Sequence, residues 1–262
     1  MGVIMDVKNN TIEKSSSNLR QVFSHVFDWD KMDVNYSKID LGGKCIFAMP
    51  SSYEWHLIYF YNDLDLLISE RVVPGIQYWH DYSSKYSDVF LKNNKIGLKV
   101  DICTQYKNVF ELLSINSKIN LSHADMMTIF KWKPIIAYYA HRIWNQEQDI
   151  ILPLREDIPV PESILESYNS YSDESLDRYP YMRFGNICFT RKEIITIRLL
   201  LSNRKAKEIS AIQRCSLTTE NARIQRIKEK LSCKHDSLIE LIKTLKEHDI
   251  TLSCLDRLTV YP

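Results

Sequence analysis

Residues 189–231 read FTRKEIITIRLLLSNRKAKEISAIQRCSLTTENARIQRIKEKL. Three short amphipathic patterns follow one another, separated by turns of a few residues. Thr190 to Glu193 has the form of a capping box, in which hydroxyl and carboxylate satisfy orphan amides at a helix start. Ile194, Ile197, Leu200 and Leu201 recur at the spacing of one buried helix stripe. Asn203 stands where a left-handed residue ends a helix. A second helix is expected over about 206–213, with Ile209 and Ile212 inward and Lys207 outward. After a turn at Cys215 and Ser216, a third is expected over about 218–231. It turns Ile224, Ile227 and Leu231 inward and Asn221, Gln225, Arg226 and Lys228 outward.

Two helices that fix an angle, and a third whose free face is polar and basic, form the arrangement that enters a DNA groove. Charge agrees. From residue 189 onward, fifteen Lys and Arg stand against nine Asp and Glu, a net of +6. The first 188 residues hold nineteen against twenty-four, a net of −5, which the overall +1 conceals. A local basic surplus suits a phosphate-contacting surface. The competing reading is a three-helix packing module with charged outer faces.

The match to a known pattern is more specific. Phe189, Thr190 and Glu193 fit an opening Leu-Thr-x-x-Glu, and Leu199-Leu200 a Leu-Leu pair. Lys207, Glu208 and Ile209 fit Lys-Glu-Ile, Ser216 and Thr219 fit Ser-x-x-Thr, and Ile227, Lys230 and Leu231 fit a closing Ile-x-x-Lys-Leu. The stretch resembles the LuxR/FixJ-type helix-turn-helix of bacterial transcription regulators. The resemblance implies an all-α C-terminal four-helix domain that binds double-stranded DNA. Asn221, Ala222 and Gln225 would read base edges. Arg204, Lys205, Lys207, Thr219, Arg223, Arg226 and Lys228 would grip the backbone. It further implies a homodimer and RNA polymerase as a partner. The chain departs from the pattern at Lys205 (usually Ser), at Gln213-Arg214 (Leu-Gly), at Glu220 (usually Val) and at Arg223 (often His). An acid at 220 near phosphates is expected to weaken binding unless it accepts from a cytosine amine. Ser237 and Glu240 open a further helix to about Glu247, with Leu238, Leu241, Ile242 and Leu245 on one side. That helix either pairs two copies or covers its own core. The tail 250–262 reads as a small strand or a docking segment.

The rest of the chain reads as an α+β domain. Leu19, Val22, Phe23, Val26 and Phe27 mark a first helix, after a frayed stretch to about residue 15. Residues 44–49 read as a strand entered through Gly42-Gly43. Ser51 and Glu54 suggest a capping box for a helix carrying Trp55, Ile58 and Tyr59. A turn at Pro74-Gly75 precedes a strand, and residues 84–92 a helix. Residues 98–103 and 109–115 form an antiparallel hairpin around QYKN. A long helix follows Ser122, with Pro134 expected to kink or break it. Pro153, Pro159 and Pro161 and the polar run after them indicate a linker. The resulting division is 1–152, a sensor or interaction domain; 153–185, linker; and 186–262, the helix-turn-helix domain.

Trp55 and Tyr59, four apart on a helix, then Asp65, then Trp79 after a proline loop, resemble the autoinducer-binding, PAS-like domain of LuxR-type quorum-sensing regulators. The resemblance implies an antiparallel sheet flanked by helices, with those four residues around a small-molecule ligand. A partner-binding domain of the same architecture is the alternative. No cofactor is implied, since neither a phosphate loop nor a dinucleotide fingerprint is present. No nucleophile–base–orienter set is evident, so an enzyme is not expected. The six cysteines are dispersed without metal spacing, which points to no metal site and to a reducing cytoplasm, with nucleoid association when DNA is bound. No apolar run reaches membrane-spanning length.

Overall fold

The structure, a computed structural model, describes residues 9–93, 97–106, 108–147, 150–158, 181–233, 237–248 and 250–255. The chain divides into two compact units, Met1–Ser122 with Tyr139–Asn169, and His123–Tyr138 with Ser170–Pro262. The stretch around Pro159 and Pro161, the expected frayed start before residue 9 and the tail beyond 255 lie outside the described residues.

The first unit is built on an antiparallel six-stranded sheet of order β3-β4-β5-β1-β2-β6. Its strands are β1 (Met32–Asp40), β2 (Cys45–Pro50), β3 (Gly75–Tyr78), β4 (Leu98–Tyr106), β5 (Val109–Ser117) and β6 (Ile151–Pro153). β4 and β5 form the expected hairpin, longer than its apolar runs, with Lys99 opposite Asn116 and Asp101 opposite Ser114. β1 was not expected, and it pairs with both β5 and β2 along its length. Gly97 leads into β4 because a side chain there would stand 2.9 Å from the Ser117 carbonyl.

Helix α1 (Asn10–Val22) starts earlier than expected because Asn9 caps it, accepting from the Thr11 amide at 2.7 Å. Helix α2 (Tyr53–Tyr61) is capped by Ser52, not Ser51. Ser51 is drawn into the sheet instead, where its hydroxyl accepts the Val34 amide at 2.8 Å. Two 3-10 turns (Leu64–Glu70 and Trp79–Asp81) and α3 (Ser84–Asn93) complete this side. On the opposite sheet face, Tyr36 stacks on Trp144 at 5.7 Å. Trp144 belongs to α4 (His123–Gln146), which continues through Pro134 without a break. A proline inside a helix costs about 3 kcal/mol. Burial of Ile136, Ala137, Ala140 and Trp144 in the turns that follow offsets that cost.

The second unit contains a hairpin, β7 (Tyr181–Phe184) and β8 (Ile187–Thr190), whose first strand lies within the stretch read as linker. Helices α5 (Arg191–Leu201), α6 (Ala206–Ile212) and α7 (Leu217–Lys230) follow, within a residue or two of expectation. The Thr190–Glu193 capping box is formed, at 3.3 and 2.7 Å, and Asn203 takes the left-handed conformation, φ 60°. Ile194, Ile197, Leu200, Ile209, Ile227 and Leu231 make the core. Ile212, expected inward, is exposed. Ser237 caps α8 (Leu238–Glu247), accepting from the Glu240 amide. The described part of the tail holds a short helix, α9 (Leu252–Leu255), rather than a strand.

Candidate functional site

Two places gather functional side chains, one in each unit. In the second unit, Arg214 turns the chain with φ 51°, and Ser216 caps α7 by accepting the Thr219 amide at 3.0 Å. Helical spacing then separates two faces. Positions 220, 223, 227 and 231 point inward and are buried, whereas 219, 221, 222, 225 and 226 are exposed. Among the described residues, Asn221, Gln225, Arg226 and Lys207 have no intramolecular side-chain partner. Arg204 and Lys205 are also exposed, Arg204 lying 3.6 Å from Glu208, and Lys228 is half-buried. The Lys205 amide donates to Glu208 Oε2 at 2.8 Å, the half of a capping box that needs no hydroxyl at the cap of α6.

Two expectations fail here, and they fail together. Glu220 does not face outward; it is fully buried. It accepts from Thr196 Oγ1 at 2.6 Å, from Gln213 Nε2 at 3.4 Å, from the Cys215 thiol at 3.5 Å and from the Arg223 guanidinium. Arg223, expected to grip DNA backbone, is only 8% exposed and spends its charge on Glu220. The departures at 213, 220 and 223 are therefore one feature, a polar cluster that joins α5, α6 and α7. Buried charge is tolerable only when paired and hydrogen-bonded, so each of these residues requires the others.

In the first unit, one sheet face carries Asn35 and Ser37 of β1, Ala48 and Pro50 of β2, Lys99 of β4, and Leu112 and Ser114 of β5. With Trp55, His56, Tyr59, Phe60, Arg71 and Trp79 these line a cavity of about 50 Å³. Trp55, Tyr59 and Trp79, singled out from the sequence, thus share one cavity. Asp65 does not join them. It is buried elsewhere, where Arg155 Nε donates to its Oδ2 at 2.6 Å and Arg155 also bonds Asp63 at 2.7 Å. The acid beside the tryptophan is Asp101. It accepts from Trp79 Nε1 at 3.1 Å, Tyr82 at 3.2 Å and Arg71 Nε at 2.7 Å, while Arg71 also donates to Ser114 Oγ at 2.7 Å. Burial pushes the Asp101 carboxyl up, but the Arg71 charge and hydrogen bonds prevail and hold it below the usual carboxylate range.

Sequence reasoning missed Lys99, Arg71, Asp101 and His56. Lys99 is 3% exposed, and its Nζ lies 4.6 Å above the Trp55 ring and 4.5 Å above Trp79 without a hydrogen-bond partner. Burial pulls its ammonium down to about 7, only partly offset by Asp101. His56 Nε2 is likewise buried without a partner, and burial lowers the imidazole to about 4. The available signal was LKVDIC, where a strand's inward positions hold a lysine and an aspartate. Among the described residues, no cluster of three His, Cys, Asp or Glu could hold a metal, and no helix is long and apolar enough to cross a membrane.

No family model matches the chain, and no similar curated protein is found. Among solved structures, the crystal structure of Escherichia coli SdiA in space group P6522 is similar over 93% of this chain and 93% of that one. Its identity is 11% and its TM-score 0.36. SdiA in complex with octanoyl-rac-glycerol is similar over 93% and 91% of the two chains, at 10% identity and a TM-score of 0.32. Likeness at that level assigns neither function nor contacts.

Proposed function

We propose that the chain is a sequence-specific, dimeric DNA-binding transcription regulator whose N-terminal domain senses a small molecule. The carrying observation is the outer face of α7: Asn221, Ala222, Gln225 and Arg226 are exposed without partners, while the acid at 220 is turned inside. On this reading α6 and α7 are the helix-turn-helix of a C-terminal domain. Asn221, Ala222 and Gln225 meet base edges, and Arg204, Lys205, Lys207, Thr219, Arg226 and Lys228 hold phosphates. Arg223 supports α7 from within rather than touching DNA. The division at 1–152, 153–185 and 186–262 belongs to this reading, with β7 in the last residues of the linker and β8 in the DNA-binding domain.

Dimerisation is supported by α8, which leaves Leu238 47% and Ile239 81% exposed on one short stretch. Sensing is supported by the cavity, apolar with a few convergent polar groups, as small-molecule sites are.

The test is duplex binding by the full chain, on sites selected from a random pool, across a salt series. The logarithm of affinity should fall linearly with that of salt. Absence of binding at low salt would leave a protein-interaction module with a degenerate helix-turn-helix.

A further inference from the structure

We infer that the cavity of the N-terminal unit binds a small carboxylate, its anionic end meeting the Lys99 ammonium and His56 Nε2 and its hydrocarbon end lying against Trp55 and Trp79. This names a ligand class for the sensing part of the function proposed above, and it rests on that reading.

The cavity's charges lead to this assignment. Arg71 is already neutralised by Asp101, in a two-pronged contact at 2.7 and 3.1 Å. Asp33, which also acts on Lys99, is held by Arg20 at 3.1 Å. Among the described residues Lys99 is therefore the cation of this cavity with neither a hydrogen bond nor an ion pair. Two indole faces favour the charged form but cannot replace hydration, since a ring contact contributes far less than an unpaired buried charge costs. A methionine would fill the same space without that cost. An incoming carboxylate supplies the missing partner. His56, kept neutral by burial, offers Nε2 as a hydrogen-bond donor rather than a second charge. One uncompensated cation matches one negative charge, not the two of a phosphate monoester. A volume of about 50 Å³ favours a short acid.

Binding is coupled to a proton. With burial holding Lys99 at about 7, most copies are neutral at pH 8. The carboxylate favours the ammonium, so the proton is taken from buffer onto Nζ as the ion pair forms. Uptake should approach one proton per ligand at pH 8, and affinity should fall about tenfold per pH unit above 7.

The test titrates the full chain with acetate, propionate, butyrate, propionamide and inorganic phosphate. The readouts are tryptophan fluorescence and calorimetry in two buffers of different ionisation enthalpy. Saturable binding of propionate but not propionamide, with proton uptake at pH 8, is the expected result. Lys99→Met should abolish it while melting no lower than the parent, and His56→Gln should weaken it about tenfold. Equal binding of propionamide, preference for phosphate, no carboxylate binding, or an unchanged Lys99→Met overturns the inference. Duplex affinity is followed alongside. Propionate binding without any change there leaves the carboxylate site standing and removes the sensing role. A neutral ligand that alters duplex affinity where propionate does not bind removes the carboxylate and keeps the sensor.

Discussion

The two units each bury a cluster of charge, and they treat it in opposite ways. In the C-terminal unit, Glu220 is enclosed by Thr196, Gln213, Cys215 and Arg223, so the acid and its cation are both satisfied. In the N-terminal unit, Lys99 is as deeply buried but its ammonium meets only two ring faces. A closed cluster of this kind roughly breaks even against apolar packing and serves to hold one arrangement. An open one is a standing cost, which a protein keeps where a ligand is to meet it.

The largest expected effect tests the closed side. Glu220→Ala leaves Arg223 buried and unpaired, and should lower the stability of the C-terminal unit by roughly 3–5 kcal/mol in urea unfolding. Glu220→Val with Arg223→Met and Gln213→Leu should recover most of that loss. A single variant as stable as the parent would erase the contrast.

The open side is read through pH. Lys99 has a folded value of about 7 against 10.5, so between those values the unfolded chain holds a proton that the folded one lacks. Its contribution to stability therefore rises with pH, by about 2 kcal/mol from pH 7 to 9. Lys99→Met should flatten that rise; an identical profile in both proteins would place the ammonium in water. His56, at about 4 against 6.5, acts in the same direction lower on the scale. Stability should drop by about 2 kcal/mol between pH 6.5 and 5, and His56→Gln should remove that part.

The outer face of α7 gives the smallest effect on the fold. Gln225→Ala and Arg226→Ala should shift unfolding by no more than ~0.5 kcal/mol. In duplex binding they should differ from each other. Arg226→Ala lowers the salt slope by about 1 on every sequence, whereas Gln225→Ala costs roughly 1–3 kcal/mol on the selected site alone. Equal losses on selected and random duplexes in both variants would contradict the assignment.

Local signals made the C-terminal helices legible. A capping box at Thr190, an Asn at a left-handed position and apolar residues three and four apart act within one helix each. Glu220 was misread because its partners Thr196 and Gln213 come from other helices, and only folding brings them together. β1 escaped notice for a related reason. Met32, Val34 and Tyr36 alternate with Asp33, Asn35 and Ser37, but the pattern breaks at Lys38 and Ile39, and the polar Asn35 and Ser37 are the positions that face the cavity. Trp55, Tyr59 and Trp79 were grouped by the resemblance to a known domain, which also pointed to Asp65 rather than Asp101. That choice depends on which carboxylate the arginines Arg71 and Arg155 reach across the fold.

The self-contained balance of Glu220 and Arg223 has a bearing on how such a protein can change. The inward side of α7 supplies its own counter-charge, and among the described residues no side chain bonds to those at 221, 225 or 226. Those positions, with 222, can be rewritten, by mutation or by grafting, without renegotiating how the helices hold together.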